Sequence, residues 1–231
     1  MFLKRFSNVR KIKAVIFDLD GVITDSAKYH FQAWKMLADR LQIPFDESYN
    51  ENLKGVSRME SLELLLKNGG MQNAFTAEEK EALAAEKNEL YKELIKQITP
   101  ADILPGVLEF IKELKLHNIK TAVASVSKNA DFLLTQLQVK SYFDYVCDPA
   151  QIQNHKPDPE IFLVAAKGLG VDPANCIGIE DAEAGIQAIN TAGMFSVGVG
   201  SAEKMAQAKL ILTGTDRLRL STIADASNMR Y

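Results

Sequence analysis

Apolar positions along this chain follow two different spacings. The segment "KAVIFDLD" packs Val15, Ile16 and Phe17 into a short continuous run that ends in polar residues, which predicts a buried strand opening into a loop. From Ala27 to Leu41 the spacing changes, and Phe31, Trp34, Leu37, Ala38 and Leu41 recur at helical intervals. "RMESLELLLKN" continues that spacing until Gly69 and Gly70 stop it. "TAEEKEALAAEKNELYKELIKQI" predicts a further helix, with Thr76 and Glu79 spaced as a capping box. Between residues 27 and 99 the pattern predicts helices only.

Pro100 and Pro105 break the run, after which short strands alternate with amphipathic helices. "GVLEFIKELKLHN", "KNADFLLTQLQ", "PDPEIFLVAAKGLG" and "AEAGIQAINTAG" read as helices; "IKTAVAS", "FDYVCD", "NCIGIED" and "MFSVGVG" read as strands. This alternation predicts an α/β fold, a doubly wound parallel sheet with helices on both faces, and the first strand belongs to it. The predicted organisation is an α/β core of residues 1–26 and 100–231 with an inserted all-helical cap domain, residues 27–99. The two crossings, at Thr24 to Ser26 and Thr99 to Asp102, would act as a hinge. Ligands of open α/β sheets bind beyond the carboxyl ends of the strands, so an insertion leaving the first strand there would cover the site.

Composition narrows the class. The 231 residues are 47% hydrophobic and 25% charged, with a formal net charge of −3, as expected of a soluble globular protein. No basic stripe interleaved with aromatics suggests a nucleic-acid partner, and no apolar run is long enough to span a bilayer. Cys147 and Cys176 stand far apart beside apolar residues, which predicts two buried thiols in a reducing cytoplasm. The first thirteen residues carry Lys4, Arg5, Arg10, Lys11 and Lys13 and no acid, and read as a frayed basic tail rather than a targeting segment. The expected state is a monomer.

The candidate chemistry gathers at the predicted strand ends: Asp18 and Asp20 after the first, Ser125 to Asn129 after the second, Lys156 before the "PDPE" helix, and Glu180 with Asp181 after the fourth. Two carboxylates held together repel, share a proton or share a metal. Four acids and one lysine suit a hard divalent cation, and Mg²⁺ prefers carboxylate, carbonyl and water oxygens. The side chains of Asp18 and Asp181 and the backbone carbonyl of Asp20 could hold it, which leaves the Asp20 carboxyl free to move protons. Asp18, ionised at neutral pH, needs no base to attack a phosphate ester.

"DLDGVITDS", "SVSKN", "KPDPEIF" and "GIEDAEAGIQAINTAG", in this order, resemble the haloacid dehalogenase superfamily, in its phosphatase and mutase branch with a helical cap after the first strand. "DGVITDSAKYHFQAW", "LKGVSR" at Leu53 to Arg58, and "TPAD" at Thr99 to Asp102 bring the chain nearer to the sugar-phosphate mutases of that branch. The resemblance runs from Lys13 to near Leu212.

It implies that Asp18 is the phosphorylated nucleophile and Asp20 the general acid and base. Asp181 is the implied metal ligand, with Glu180 beside it. Ser125 and Lys156 would grip the transferring phosphate, and Arg58, Ser127, Lys128 and Asn129 the distal one. His30 and Lys87 would orient a hexose from the cap, and Gly55, Val56, Ser57, Val126 and Trp34 are further candidate contacts. Trp34 also reads as cap core, together with Phe31 and Leu37. The implied reaction converts β-glucose 1-phosphate to glucose 6-phosphate through the 1,6-bisphosphate. Two rival readings remain: a sugar-phosphate phosphatase of the same superfamily and a non-catalytic sugar-phosphate sensor.

Overall fold

Every residue of the first strand, β1 (Ala14–Phe17), is buried, so it needs cover on both faces and a neighbour at each edge. The structure, a computed structural model that describes residues 10–53 and 56–231, supplies both. The later strands are β2 (Lys120–Val123), β3 (Tyr145–Val146), β4 (Cys176–Glu180), β5 (Phe195–Val199) and β6 (Leu210–Leu212). They form one sheet in the order β3-β2-β1-β4-β5-β6, with every pairing parallel.

The alternation of side chains along β1 divides the core into two layers. Val15 and Phe17 face a cluster built from α5 (Val107–Leu116), α6 (Ala130–Gln136) and α9 (Leu220–Ser227). Ala14 and Ile16 face the opposite cluster, which holds Ile161, Phe162 and Ala165 of α7 (Glu160–Leu169) and Ile186 and Ile189 of α8 (Glu183–Thr191).

Between β1 and β2 lie α1 (Ala27–Arg40), the short α2 (Glu47–Asn50), α3 (Arg58–Asn68) and α4 (Ala77–Ile95). Their apolar faces bury a cluster of their own that includes Trp34, Leu37, Leu62, Leu65, Leu66 and Leu83. Capping boxes open two of these helices, Ser57 with Glu60 on α3 and Thr76 with Glu79 on α4. Tyr29, Ala33, Tyr91 and Ile95, nearer the sheet, belong instead to the cluster under β1.

The structure departs from the sequence pattern at the periphery. The strand expected in "FDYVCD" contracts to two residues at the sheet edge, where one neighbour is missing. β6 was not expected: its Leu-Ile-Leu run forms the other edge of the sheet and is only three residues long, too short to show a strand pattern. Only the last part of the expected basic tail is described, and it is pinned rather than frayed. The amide of Ile12 donates to the Arg230 carbonyl at 2.7 Å, and the amide of Arg230 to the Arg10 carbonyl at 3.0 Å. Cys147 and Cys176 are buried free thiols. Among the described residues no helix is long and apolar enough to cross a membrane.

α8 lies close on β4 because residue 178 is glycine; a Cβ there would come within 2.7 Å of the Ile189 side chain. Gly178→Ala is therefore expected to destabilise the protein by about 1–3 kcal/mol through overpacking, measured by urea unfolding. An unchanged midpoint would show that α8 can shift to make room.

Candidate active site

Phe17 is level with Val123 of β2 and Ile179 of β4, so the next residues, Asp18, Ala124 and Glu180, line up at the carboxyl edge. Here the chain turns to one side of β1 for β2 and to the other for β4, the crevice where open α/β sheets bind ligands. Lys156, from the segment ahead of α7, fills the gap among these strand ends. Its ammonium donates to Asp18 Oδ1 at 2.5 Å, to Glu180 Oε2 at 2.8 Å and to the Ala124 carbonyl at 3.3 Å. All three of its protons are thereby engaged.

Glu180 uses both oxygens. Oε1 accepts the amides of Asp181 and Ala182 at 3.1 and 3.2 Å, leading into α8, while Oε2 holds Lys156. Gly185 leaves room for this carboxylate, since a Cβ at that position would lie 2.0 Å from Oε2. Gly21 serves Asp181 likewise: its φ of +77° suits glycine, and a Cβ would lie 2.0 Å from Asp181 Oδ2.

One lysine among four buried acids leaves negative charge uncompensated. Burial, reinforced by the charge of Glu180 on Asp18 and of Asp18 on Asp20 and Asp181, pushes these three aspartates up to about 7. Burial also raises Glu180, with Lys156 opposing. Burial acts to lower Lys156, but Asp18 and Glu180 outweigh it and hold the ammonium above its ordinary range. Carboxylate oxygens of Asp18, Glu180 and Asp181 lie within 4.8 Å of one another, an all-oxygen set that fits a hard divalent cation. The Asp20 side chain stands outside that set, and its Oδ1 is buried without a hydrogen-bond partner.

The loop after β2 forms a second wall. Ser125 is buried and its Oγ accepts the Ser127 amide at 3.1 Å; Ser127 Oγ in turn accepts the Asn129 amide at 3.2 Å. Val126 packs against the sheet core and Lys128 is exposed. Asn129 reaches across to the cap helices, its Nδ2 donating to Asn88 Oδ1 of α4 at 3.1 Å.

The cap contributes the opposite charge. Lys87 of α4 is buried, with Nζ 2.8 Å from His30 Nδ1 of α1 and 4.8 Å from the centre of the Trp34 ring. Burial and then Arg58 push Lys87 down to about 7, against the pull of Asp20. Burial, Lys87 and Arg58 hold His30 well below its ordinary value, so its ring is neutral. Arg58 is half-buried at the start of α3, where burial lowers it and Glu89 opposes. Trp34 is buried in the cap's apolar cluster and carries Lys87 on its face. Val56 is half-buried, Ser57 caps α3, and Gly55 lies outside the described residues.

Sequence reasoning missed Asn88, hidden in a helix whose Glu and Lys residues read as a solvated face, and the space-making roles of Gly21 and Gly185. It also missed His155, which precedes Lys156 and has a buried, unpartnered Nδ1.

The model of the haloacid dehalogenase-like hydrolases matches residues 12–193. The chain belongs to this family. Among haloacid dehalogenase-like relatives, a β-phosphoglucomutase of Bacillus subtilis is 50% identical over 212 residues, 92% of this chain and 94% of that protein. A phosphorylated carbohydrates phosphatase of Thermotoga maritima is 31% identical over 185 residues, 79% of this chain and 82% of that protein. The crystal structure of a β-phosphoglucomutase from Clostridium difficile superimposes with a TM-score of 0.92 at 50% identity. It covers 94% of this chain and 97% of that one.

The raised aspartates carry a testable consequence for metal binding. Near pH 7 they hold protons that a divalent cation must displace, so binding is expected to release about one proton per ion and to weaken as the pH falls. Calorimetry in buffers of differing ionisation enthalpy measures this. Binding with no proton release would contradict the charge crowding described here.

Proposed function

We propose that this protein is a Mg²⁺-dependent β-phosphoglucomutase that interconverts β-D-glucose 1-phosphate and glucose 6-phosphate through a phosphoaspartate and β-glucose 1,6-bisphosphate. The observation that carries the reading is the pairing of two cationic walls across an acidic floor: Lys156 beside Asp18 in the core, and Arg58 with Lys87 on the cap. A mutase must hold two phosphates of one hexose at once, whereas a phosphatase needs only one. The identity of half the residues with a β-phosphoglucomutase over nearly the whole chain supports the same conclusion.

Asp18, once phosphorylated, donates its phosphoryl group to the 6-hydroxyl of β-glucose 1-phosphate while Asp20 accepts the hydroxyl proton. The bisphosphate then turns round and presents its 1-phosphate. Asp18 attacks that phosphorus, the bond to the sugar oxygen breaks, and Asp20 returns the proton to the departing oxygen as glucose 6-phosphate leaves. Asp20 suits both directions, because burial and the charge of Asp18 bring it up to about 7. Lys156 and Ser125 hold the transferring phosphate; Arg58, Ser127, Lys128 and Asn129 hold the distal one. Neutral His30 and Lys87 face the sugar from above. Mg²⁺ held by Asp18, the Asp20 carbonyl and Asp181, with Glu180 alongside, supplies charge neutralisation to the nucleophile and the phosphoryl oxygens.

Phosphorus NMR of β-glucose 1-phosphate with the protein, Mg²⁺ and a trace of bisphosphate tests the proposal. The expected product is glucose 6-phosphate, with little inorganic phosphate. Phosphate release at a comparable rate would favour a phosphatase, and no turnover at all would favour a sensor. Arg58→Ala is expected to depress isomerisation by roughly 10–100-fold while sparing hydrolysis of small phosphate esters, since loss of a charged phosphate contact costs about 1.5–3 kcal/mol. Equal loss in both reactions would remove Arg58 from the distal site.

A further inference from the structure

Away from the two chain crossings, the side chains of Glu51 and Asn88 join the cap to the core. Lys204 donates to Glu51 at 3.1 Å, with the two side chains 65% and 48% exposed, so water screens this pair and it carries little energy. Asn88 of α4 makes a different kind of contact. Its Oδ1 accepts the Nδ2 of Asn129 at 3.1 Å, and Asn129 is buried. A hydrogen bond shielded from water is stronger than one in solvent.

The Asn129 side chain makes this contact in place of a commoner one. Asn129 stands at the N-cap of α6, where an asparagine oxygen ordinarily accepts an amide of the first turn, yet it makes no such bond. Ser127 Oγ accepts the Asn129 amide at 3.2 Å and fixes the backbone, while the side chain crosses to α4. Its Nδ2 carries two protons. Asn88 takes one, which sets the plane of the amide and leaves the other for a phosphate oxygen. Asn88 also follows Lys87 in α4, so one helix carries both a cation of the cap wall and the anchor of the loop after β2.

We infer that Asn88 is a positioning residue for the distal phosphate: by accepting one Nδ2 proton of Asn129 it fixes the amide whose other proton the phosphate takes, and it keeps α4 in register with the loop after β2. The inference rests on the reading of Asn129 as a distal-phosphate ligand. Asn88 acts through that amide and does not touch the substrate.

Asn88→Ala removes the acceptor and suits a helix. A contact that holds the distal phosphate acts alike on the bound ground state and the transition state, so its loss appears in KM. Asn88→Ala is expected to raise KM for β-glucose 1-phosphate about three- to tenfold and to leave kcat within about twofold. Phosphorylation of Asp18 by acetyl phosphate passes the phosphoryl group to the carboxylate oxygen and expels acetate. It uses no distal phosphate and is expected to be unchanged. In an Asn129→Ala background, Asn88→Ala is expected to cost nothing further.

An Asn88→Ala enzyme with parental KM, an equal loss in both reactions, or additive losses in the double variant would overturn the inference. Should Asn88→Ala fail to fold, Asn88→Leu is of similar size and also lacks the acceptor. It is expected to raise KM in the same way, and a parental KM in that variant would again overturn the inference. An Asn129→Ala enzyme with parental KM would instead overturn the underlying reading of Asn129, which keeps the two failures distinct.

Discussion

The site depends on a buried lysine shared by two carboxylates. Lys156 donates to both Asp18 and Glu180, and those acids sit on adjacent strands that the β1–β4 register brings level. Removing a charge from such a cluster would leave its partners buried and unpaired, a penalty of several kcal/mol. The sheet order, the glycines at 21 and 185, and the turn of Glu180 into the start of α8 all serve to seat these charges where water is scarce. Under the proposed function the net negative charge that remains makes a place for a divalent ion, and with that ion held Asp18 would be free to attack phosphorus.

The second half of the site is electrostatically complementary to the first. His30, Arg58 and Lys87 come from three different cap helices, and burial pushes all three down, with the charge of Arg58 adding to it at His30 and Lys87. Each wall is strained by its own charges. Under the proposed function a hexose bisphosphate between them would set one phosphate against Arg58 and the other against Lys156, so that binding energy from the distal phosphate could be spent at the reacting end. The Asn88–Asn129 amide pair lies on the same seam and ties the loop beside the distal site to the helix that carries Lys87.

How much of this was legible in the sequence depends on the kind of signal. Strands β1, β2, β4 and β5 are continuous apolar runs, and the cap helices keep clean 3.6-residue spacing, so both were readable. The edge strands β3 and β6 are short and half-wet, and the pattern overstated one and missed the other. Asp18, Asp20, Lys156 and Asp181 were legible as chemistry because acids and a lysine at strand ends violate the usual composition of buried sites. Asn88 was not, because nothing in a helix rich in Glu and Lys distinguishes a residue that reaches another loop from one that faces solvent. Its role emerges only from Asn129, a partner distant in the chain.

The central claim is that Asp18 becomes esterified by phosphoryl, and does so only when a divalent ion offsets the acids around it. Peptide mapping of enzyme labelled with isotopic phosphoryl donor, with and without a chelator, tests it most directly. The account predicts acid-stable, base-labile label on the peptide bearing Asp18, abolished by the chelator. Label on any other side chain, or labelling indifferent to the chelator, would contradict it.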